Sequence, residues 1–253
     1  MLKNERQKKI LDLIQEHIYL TSASIAKTLQ VSEMTIRRDI TEMANENKLT
    51  KLHGGAQKLD MTHKELTTDE KFPSHAEQKK YIGKVINSLV EDNATIFVGA
   101  GTTIYYVLTE LRKENLFVIT NSLTAFNYLI ENTSYRIILI GGEFYPTTEQ
   151  FIGDIATKAL DTLNIDIAFA STNGILDNNI TTSHLSEGAV QNAAFAHSKI
   201  SCIVADSSKL NVSDVYTLCP LDQMDFLITD DEISDEMFAH YGQYTTILNE
   251  IKE

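Results

Sequence analysis

Residues 33–43 carry two guanidinium groups and several hydrogen-bonding side chains at the spacing of one helical face. Ile36, Ile40 and Met43 recur at i, i+4 and i+7, which predicts the buried face of an amphipathic helix. The opposite face, at roughly 100° per residue, carries Met34, Arg37, Arg38 and Thr41. Side chains of these types read bases and phosphates when a helix lies in the major groove of DNA. The alternative for the arginine pair is an ordinary solvated helix face.

The residues before this helix predict a helix-turn-helix motif. Ser32 is a suitable N-cap, because its hydroxyl can accept a hydrogen bond from an unpaired backbone N–H. The preceding helix begins at Thr21 or Ser22, which are also capping types. Only residues 30–32 separate the two helices, a gap of the length that this motif requires.

A first helix and a small wing complete the predicted N-terminal module. Isoleucine recurs every fourth residue from Ile10 to Ile18, which predicts a helix over 3–18. Two strands at 49–52 and 57–59 flank a tip whose glycine pair permits positive φ. We expect the DNA-contacting residues to be Ser32, Met34, Thr35, Arg37, Arg38, Thr41, Lys51 and His53. An alternative role for the histidine is to cap the wing tip.

From residue 74 onward, apolar runs alternate with amphipathic helical segments. The runs lie at 95–98, 116–119, 135–140, 167–170, 199–205, 226–229 and 245–248. This alternation predicts a mostly parallel sheet with helices on both faces. The fold class is therefore α/β, with a winged helix-turn-helix domain at 1–59 and an α/β domain at 74–253. The polar, aperiodic residues 60–73 are interpreted as the linker between them.

Glycine and hydroxylated residues follow nearly every predicted strand, and in an open parallel sheet these positions meet at one edge. The segment after the first strand reads Gly99-Ala100-Gly101-Thr102-Thr103 and opens a helix. Glycines let backbone N–H groups approach an anion, and a helix N-terminus favours negative charge. We therefore expect a phosphate-binding loop here. The alternative is a tight strand-to-helix turn with Thr102 as N-cap.

The strand-end residues together would suit a polyhydroxylated anion such as a sugar phosphate. The expected effector-binding residues are Gly99, Ala100, Gly101, Thr102, Thr103, Asn121, Ser122, Glu143, Asn173, Glu187, Asp206 and Lys209. Lys209 is the natural cation, whereas Glu187 has the alternative of a solvated first helical turn. No cofactor is expected. A dinucleotide fold needs a glycine and an acid where Ile104 and Asn121 stand, and a nucleoside-triphosphate loop needs a lysine after Gly101.

The net charge of −13 is distributed unevenly along the chain. Residues 1–59 have a net charge of +3, and the remainder has −16. A basic module on an acidic body fits one DNA-facing end. Cys202 and Cys219 make neither a disulfide framework nor a metal site, and no apolar stretch reaches 18 residues. A cytoplasmic protein that does not enter a membrane is expected.

Six motifs along the chain are typical of one known family: Thr35-Ile36-Arg37-Arg38-Asp39, His53-Gly54-Gly55-Ala56, Gly-x-Gly-Thr-Thr at 99–103, Thr-Asn-Ser at 120–122, Gly-Gly-Glu at 141–143 and Asp-Ser-Ser-Lys at 206–209. Through these motifs the chain resembles, over essentially its whole length, the DeoR family of bacterial transcriptional regulators. The resemblance implies a C-terminal sensor domain related to ribose-5-phosphate isomerases, with a sugar-phosphate effector that changes operator affinity. It also adds Lys79 as a weaker candidate cation, because residues 78–80 are similar to an isomerase segment.

Two departures from the family pattern bear on whether the chain has isomerase activity and on which subgroup of the family it resembles. Many members have Asp where Gly99 stands, and Gly-Ala-Asp-Gly where residues 171–174 read Ser-Thr-Asn-Gly. The isomerase relatives place catalytic acids near the second segment, so its lack of a carboxylate disfavours isomerase chemistry. Both variants are similar to the repressors of lactose phosphotransferase operons, whose effector is tagatose 6-phosphate.

The sequence therefore predicts a repressor of a sugar-metabolism operon, which is not an enzyme. The alternative is an isomerase-like enzyme with an accessory N-terminal domain, whose general base would be sought among Glu143, Glu187 and Asp206. The expected partners are double-stranded operator DNA and the sugar phosphate. Because paired modules usually read paired half-sites, we also expect a homodimer or homotetramer.

Overall fold

The computed structural model describes residues 3–16, 19–45, 48–52, 54–58 and 66–251. The chain forms two compact units, Met1–His63 and Lys64–Glu253, and each is described by itself. Three residues that figure in the sequence predictions, Ile18, His53 and Leu59, lie outside the described residues, and so do residues 60–65 of the predicted linker.

The first unit combines three helices with a small sheet. Its elements in chain order are α1 (Lys3–Glu16), β1 (Tyr19–Thr21), α2 (Ser22–Leu29), α3 (Glu33–Asn45), β2 (Leu49–Leu52) and β3 (Gly55–Lys58). Apolar side chains from the helices and the wing form one core, whose members include Ile10, Ile14, Ile25, Ile36, Ile40, Met43 and Leu49. The apolar face predicted for α3 is thus the face that packs against the rest of the unit.

The wing has three strands where the sequence predicted two. The strand order is β1-β3-β2, and both pairings are antiparallel. β1 pairs Tyr19 with Gln57 and Thr21 with Gly55. A strand of three residues is too short to show the alternation by which strands are recognised in a sequence, so β1 was missed. Gly54 has the positive φ expected at the tip, 76°.

The second unit alternates strands and helices. Its helices are α4 (Thr68–Lys71), α5 (Ala76–Leu89), α6 (Thr102–Glu110), α7 (Leu123–Asn132), α8 (Asp154–Leu160), α9 (Leu185–Ala196) and α10 (Asp235–Tyr241). Its strands are β4 (Thr95–Val98), β5 (Phe117–Thr120), β6 (Arg136–Leu139), β7 (Glu143–Tyr145), β8 (Gln150–Ile152), β9 (Ile165–Ser171), β10 (Gly174–Leu176), β11 (Asn179–Thr182), β12 (Ser198–Val204), β13 (Tyr216–Pro220), β14 (Phe226–Ile228) and β15 (Thr246–Leu248).

Seven of these strands form a parallel sheet in the order β15-β14-β12-β9-β4-β5-β6. The chain enters at β4, adds β5 and β6 on one side, and then returns to add β9, β12, β14 and β15 on the other. The order therefore reverses between β4 and β9. Open α/β sheets bind ligands at such a switch point, beyond the carboxyl ends of the strands.

Helices cover both faces of this sheet, as the sequence predicted. One core layer contains Ile96, Val98 and Val118 with residues of α5, α6 and α7. The other contains Phe97 and Ile119 with residues of α8, α9 and α10. Neighbouring residues along a strand point to opposite faces, so β4 and β5 each contribute to both layers.

Two small antiparallel sheets were not predicted. β7 pairs with β8, and β11 lies between β10 and β13. These strands have three to five residues and include polar positions, so they lack a continuous apolar run. The β7–β8 hairpin carries Thr148 and Gln150, two polar residues that become important at the strand ends.

The interpretation of 60–73 as a linker is wrong for its C-terminal part. Residues 68–71 form α4, which begins with a capping box between Thr67 and Glu70. The backbone N–H of Thr68 donates to the carbonyl of Thr147 at 3.1 Å, and the ring of Phe72 lies 5.0 Å from that of Tyr105. A four-residue helix has no measurable periodicity, and its tertiary contacts decide its structure.

Candidate functional site

The outer face of α3 exposes the side chains that the sequence selected for DNA contact. Met34 is 81% exposed, and Arg37 and Arg38 are also exposed. The Nε and Nη2 atoms of Arg37 both donate to Oε1 of Glu33, at 2.9 and 2.6 Å. An exposed ion pair at i, i+4 is weak, so a phosphate or base edge can compete for this guanidinium.

Hydrogen bonds order both ends of this surface. The backbone N–H of Thr35 donates to the hydroxyl of Ser32 at 3.3 Å, so Ser32 caps α3 as predicted. Lys51 donates to the hydroxyl of Thr41 at 3.0 Å, which joins the wing strand β2 to the helix. Thr41 in turn donates to the carbonyl of Arg37. Local hydrogen bonds thus hold the side chains of five predicted DNA-contacting residues: Ser32, Thr35, Arg37, Thr41 and Lys51.

A buried ion pair lies beneath this surface and was not predicted. Nε of Arg6 on α1 donates to Oδ2 of Asp39 on α3 at 2.5 Å, and Nη2 donates to Oδ1 at 3.2 Å. Asp39 is fully buried, and its hydrogen bond raises the pKa of Arg6. The sequence did hold a signal, because Asp39 stands beside Ile40 and three residues after Ile36, on the apolar face.

In the second unit, the loop after β4 approaches the end of β9 closely. Gly101 has φ 114°, and a Cβ there would lie 2.4 Å from Oγ of Ser171. The Ser171 hydroxyl donates to the carbonyl of Ala100 at 2.8 Å and holds the two strand ends together. The glycine is therefore required by both its backbone angle and the lack of space.

The first turn of α6 meets the requirements of an anion site. Gly101 is the N-cap and makes no side-chain capping bond, so the alternative with Thr102 as N-cap is wrong. The first backbone N–H groups of a helix have no intrahelical acceptors and carry positive partial charge. Thr102 and Thr103 are the first two residues of α6, and both are buried.

Lys79 is the cation bonded to this loop. Its side chain is 4% exposed and donates to Oγ1 of Thr102 at 2.9 Å and to the carbonyl of Lys71 at 3.0 Å. Burial lowers the pKa of Lys79 to about 8; the charge of Asp206 raises it, and that of Lys209 lowers it. Lys209, which the sequence favoured, is half-buried in a short 3-10 turn. The structure gives Lys79 the more direct link to the loop.

Glu187 is not part of a solvated helical turn, and that alternative is wrong. It is 5% exposed, and its Oε1 accepts from Oγ1 of Thr148 and Nε2 of Gln150, each at 2.6 Å. Asn121, after β5, donates to Oε1 of Gln150 at 3.0 Å. The β7–β8 hairpin thus connects two predicted effector residues that are 66 positions apart in the sequence.

Buried polar atoms without partners collect near the strand ends of the second unit. Among the described residues, the unpartnered atoms of this unit belong to Asn121, Ser183, His184, Gln191, Asp206 and Thr229. Five of these six residues follow strands β5, β11, β12 and β14 within two positions, and Gln191 donates from Nε2 to the carbonyl of Ser171. Asn121, Asp206 and Thr229 follow strands of the parallel sheet, whereas Ser183 and His184 follow β11 of a small antiparallel sheet. Buried polar groups normally have partners, so these atoms are available to a bound water or ligand.

The remaining predicted effector-binding residues differ in burial and in hydrogen bonding. Ser122 is buried and caps α7, accepting from the N–H of Ala125 at 3.2 Å. Asn173 donates to Oδ2 of Asp214 at 2.7 Å and anchors the loop that follows Lys209. Glu143 is exposed at the start of β7, and the described hydrogen bonds that join the other candidates do not include it.

Three polar residues near the strand ends were missed in the sequence: Thr148, Gln150 and Gln191. Gln191 lies one helical turn after Glu187 on α9, and both are buried. Two polar residues at i and i+4 on a buried helical face are a recognisable signal. Thr148 and Gln150 offered none, because their role depends on a hairpin that was not predicted.

One surface cavity of the second unit is lined by residues other than those at the strand ends. A surface cavity of about 490 Å³ lies at the C-terminal ends of α5 and α6, where Lys84, Glu110 and Arg112 line it. Within the described part of the chain, no group of three or more His, Cys, Asp or Glu side chains could hold a metal ion. No described helix is long and apolar enough to cross a membrane.

Solved structures with a similar fold include ribose 5-phosphate isomerases. The enzyme from Plasmodium falciparum has 19% identity and a TM-score of 0.36, and it covers 52% of this chain and 53% of its own. Isomerase A from Neisseria gonorrhoeae has 14% identity, a TM-score of 0.42 and 55% coverage of each chain.

Sequence relatives cover nearly the whole chain. A lactose phosphotransferase system repressor of Streptococcus mutans is 35% identical over 252 residues, which are 98% of this chain and all of the relative. A repressor of the same description from Staphylococcus aureus is 33% identical, with 94% and 96% covered. Residues 6–62 match the DeoR-like helix-turn-helix domain, and residues 74–231 match the DeoR C terminal sensor domain. The chain belongs to the DeoR family.

Proposed function

We propose that the chain represses a sugar-utilisation operon by binding operator DNA through α3 and the wing. The exposed row of Met34, Arg37 and Arg38 over the buried Arg6–Asp39 pair is the observation that supports this most strongly. The pair fixes the helix that carries the arginines, so the guanidinium groups are presented from a rigid support. The repressors of S. mutans and S. aureus, similar over nearly the whole chain, make a lactose phosphotransferase operon the first target to test.

The proposed effector is a phosphorylated sugar at the switch point between β4 and β9. Its phosphate would lie on the Gly99–Thr103 loop, where the N-terminus of α6 and the buried Lys79 supply positive charge. Its hydroxyls would lie near Asn121, Glu187 and Asp206. Local positive charge is necessary, because an acidic body with a net charge of −16 repels anions at long range.

Tagatose 6-phosphate is the first ligand to test, since the resemblance to lactose phosphotransferase repressors implies it. The effector can act as inducer or as co-repressor, and both produce a change in operator affinity. Two modules on paired half-sites would give the complex its specificity, so the proposed unit of binding is a homodimer or homotetramer. Light scattering at micromolar concentration tests this, and a monomer at that concentration would contradict it.

The experiment for DNA binding uses a duplex selected from random sequence by the full-length protein. Arg37→Ala removes a guanidinium that can contact guanine or phosphate, so operator affinity falls by about 1–3 kcal/mol, measured by fluorescence anisotropy. Lys84→Ala, a loss of the same charge in the second unit, is the matched control and leaves affinity unchanged. Unaltered operator binding by Arg37→Ala, with a native circular dichroism spectrum, would remove Arg37 from the interface.

The same preparation distinguishes a repressor from an enzyme. Full-length protein is incubated with pentose and hexose phosphates, and the products are separated by chromatography. We expect no turnover, because the Ser171–Gly174 segment carries no carboxylate to act as a general base. Isomerisation that is lost in Glu187→Gln would favour the enzyme instead.

A further inference from the structure

The four-residue helix α4 is the first helix of the second unit and follows the DNA-binding unit closely along the chain. The first unit ends at His63, and α4 begins at Thr68. A helix of this length is not stable by itself in water, so it forms only where other parts of the unit hold it. The contacts of α4 therefore decide whether the segment that follows the DNA-binding unit is fixed to the second unit.

At its C-terminal end, α4 is bonded to the cation of the proposed phosphate site. Lys79 donates to the carbonyl of Lys71, the last residue of α4, at 3.0 Å and to Oγ1 of Thr102 at 2.9 Å. An ammonium group has three donors, so a bound phosphate can accept from the third while both of these bonds are kept. The anion would hold the charged lysine in place, and with it the end of α4.

At its N-terminal end, α4 is bonded to the β7–β8 hairpin. The backbone N–H of Thr68 donates to the carbonyl of Thr147 at 3.1 Å. The next residue, Thr148, donates to Oε1 of Glu187, a predicted effector-binding residue, at 2.6 Å. Both ends of α4 are therefore connected to predicted effector-binding residues through one or two hydrogen bonds.

An aromatic contact joins α4 to α6, the helix that begins at the proposed phosphate loop. The ring of Phe72, the C-cap of α4, lies 5.0 Å from that of Tyr105 and 6.2 Å from that of Tyr106, both on α6. The hydroxyl of Tyr106 donates to the carbonyl of Phe72 at 3.2 Å. Phe72 is half-buried and lies outside the two core layers, so its removal affects the docking of α4 more than the folding of the unit.

We propose that α4 is the element that transmits effector binding to the DNA-binding unit. The inference rests on the proposed function, and it adds the route from the bound anion to the segment between the two units. With a phosphate on Lys79, α4 is held against α5 and α6; without it, an undocked state of α4 is populated as well. One short helix with two states is then biased by the ligand and by the operator, which is what allosteric coupling requires.

Hydrogen exchange measured by mass spectrometry tests whether α4 responds to the ligand. The backbone N–H groups of Lys71 and Phe72 donate to carbonyls within or next to α4 and report its opening. In full-length protein with tagatose 6-phosphate bound, these amides exchange about fivefold more slowly, because the docked state is favoured. The amides of α10, another short helix of the same unit, keep their rate and serve as the control. Unchanged exchange of α4 in a protein that binds the ligand would overturn the inference.

Phe72→Ala tests whether α4 carries the coupling, which is the factor by which the sugar phosphate changes operator affinity. The variant still binds the sugar phosphate, with an affinity reduced by no more than about fivefold, but its coupling falls below about twofold. Tyr128→Ala is the matched control and keeps the wild-type coupling. The ring of Tyr128 lies 5.3 Å from that of Tyr105 in the same aromatic cluster, without a described ring contact with Phe72.

The outcomes separate this inference from the proposed function. Wild-type coupling in a folded Phe72→Ala protein would overturn the inference and leave the proposed function intact. If that variant does not fold, Thr67→Val replaces it, because it removes the hydroxyl that accepts from the N–H of Glu70 and begins α4. The same loss of coupling is expected. A wild type that binds none of a panel of sugar phosphates would contradict the proposed function, and the inference with it.

Discussion

The α3 surface and the strand ends of the second unit handle polar groups in opposite ways. On α3, Arg37 and Arg38 are exposed and solvated, and the costly buried pair of Arg6 and Asp39 is complete beneath them. At the strand ends, Asp206 and other polar groups are buried with atoms left unpaired. The first arrangement suits a large, charged partner that meets a preformed surface. The second suits a small ligand that completes an interior.

The buried pair under α3 gives the largest expected effect. Asp39→Ala leaves the Arg6 guanidinium buried without its partner, so the first unit loses about 3 kcal/mol of unfolding free energy. Glu42→Ala is the matched control, because it breaks the exposed pair with Lys3 and costs less than about 1 kcal/mol. Urea unfolding of the full chain, with hydrogen exchange of α1 and α3 amides, measures both. Equal costs in the two variants would show that the buried pair is not what fixes α3.

Gly101, in the proposed phosphate loop, gives the next effect, in the second unit. Gly101→Ala places a methyl group against Ser171 at a backbone angle that alanine rarely adopts, at a cost of about 2 kcal/mol. Gly141→Ala is the control, because nothing lies within 4 Å of its Cβ position, and it costs less than about 0.5 kcal/mol. Thermal unfolding and titration with a sugar phosphate measure stability and binding. Full ligand affinity in Gly101→Ala would remove this loop from the site.

These differences show what could be predicted from the sequence. The two faces of α3 followed from a helical period, and the Gly99–Thr103 loop from glycines between a strand and a helix. Neither required knowledge of distant residues. The burial of Glu187 could not be predicted, because it depends on Thr148 and Gln150 in a hairpin too short to recognise. The helix α4 was missed for the same reason, since tertiary contacts of Phe72 and Thr68 stabilise it.

Lys79 gives the smallest expected effect, which is a change in sugar-phosphate affinity with pH. Its lowered pKa of about 8 means that in the folded protein this positive charge is half lost at about pH 8 and mostly lost by about pH 9. A sugar phosphate is already fully ionised there, so its affinity falls about fivefold between pH 8 and pH 9 as the lysine deprotonates. The affinity of Lys79→Gln is lower and does not change over this range, whereas Lys209→Gln keeps the slope. A pH-independent wild type would mean that Lys79 does not contact the anion.

The stability of the second unit changes with pH in the opposite direction to its affinity for the sugar phosphate. Between about pH 8 and pH 10.5, the unfolded chain binds a proton at Lys79 that the folded protein has released. The second unit therefore becomes more stable as pH rises through this window, even as it loses affinity for the anion. This divergence is the result expected if Lys79 binds the anion.

The central claim is that the two differently built surfaces belong to one switch, and reciprocal titration tests it most directly. Tagatose 6-phosphate is titrated into full-length protein with and without the selected operator, and operator is titrated with and without the sugar phosphate. Binding linkage requires each ligand to change the affinity of the other by the same factor, and we expect that factor to be at least fivefold. Sugar-phosphate affinity that is the same with and without operator would contradict the account.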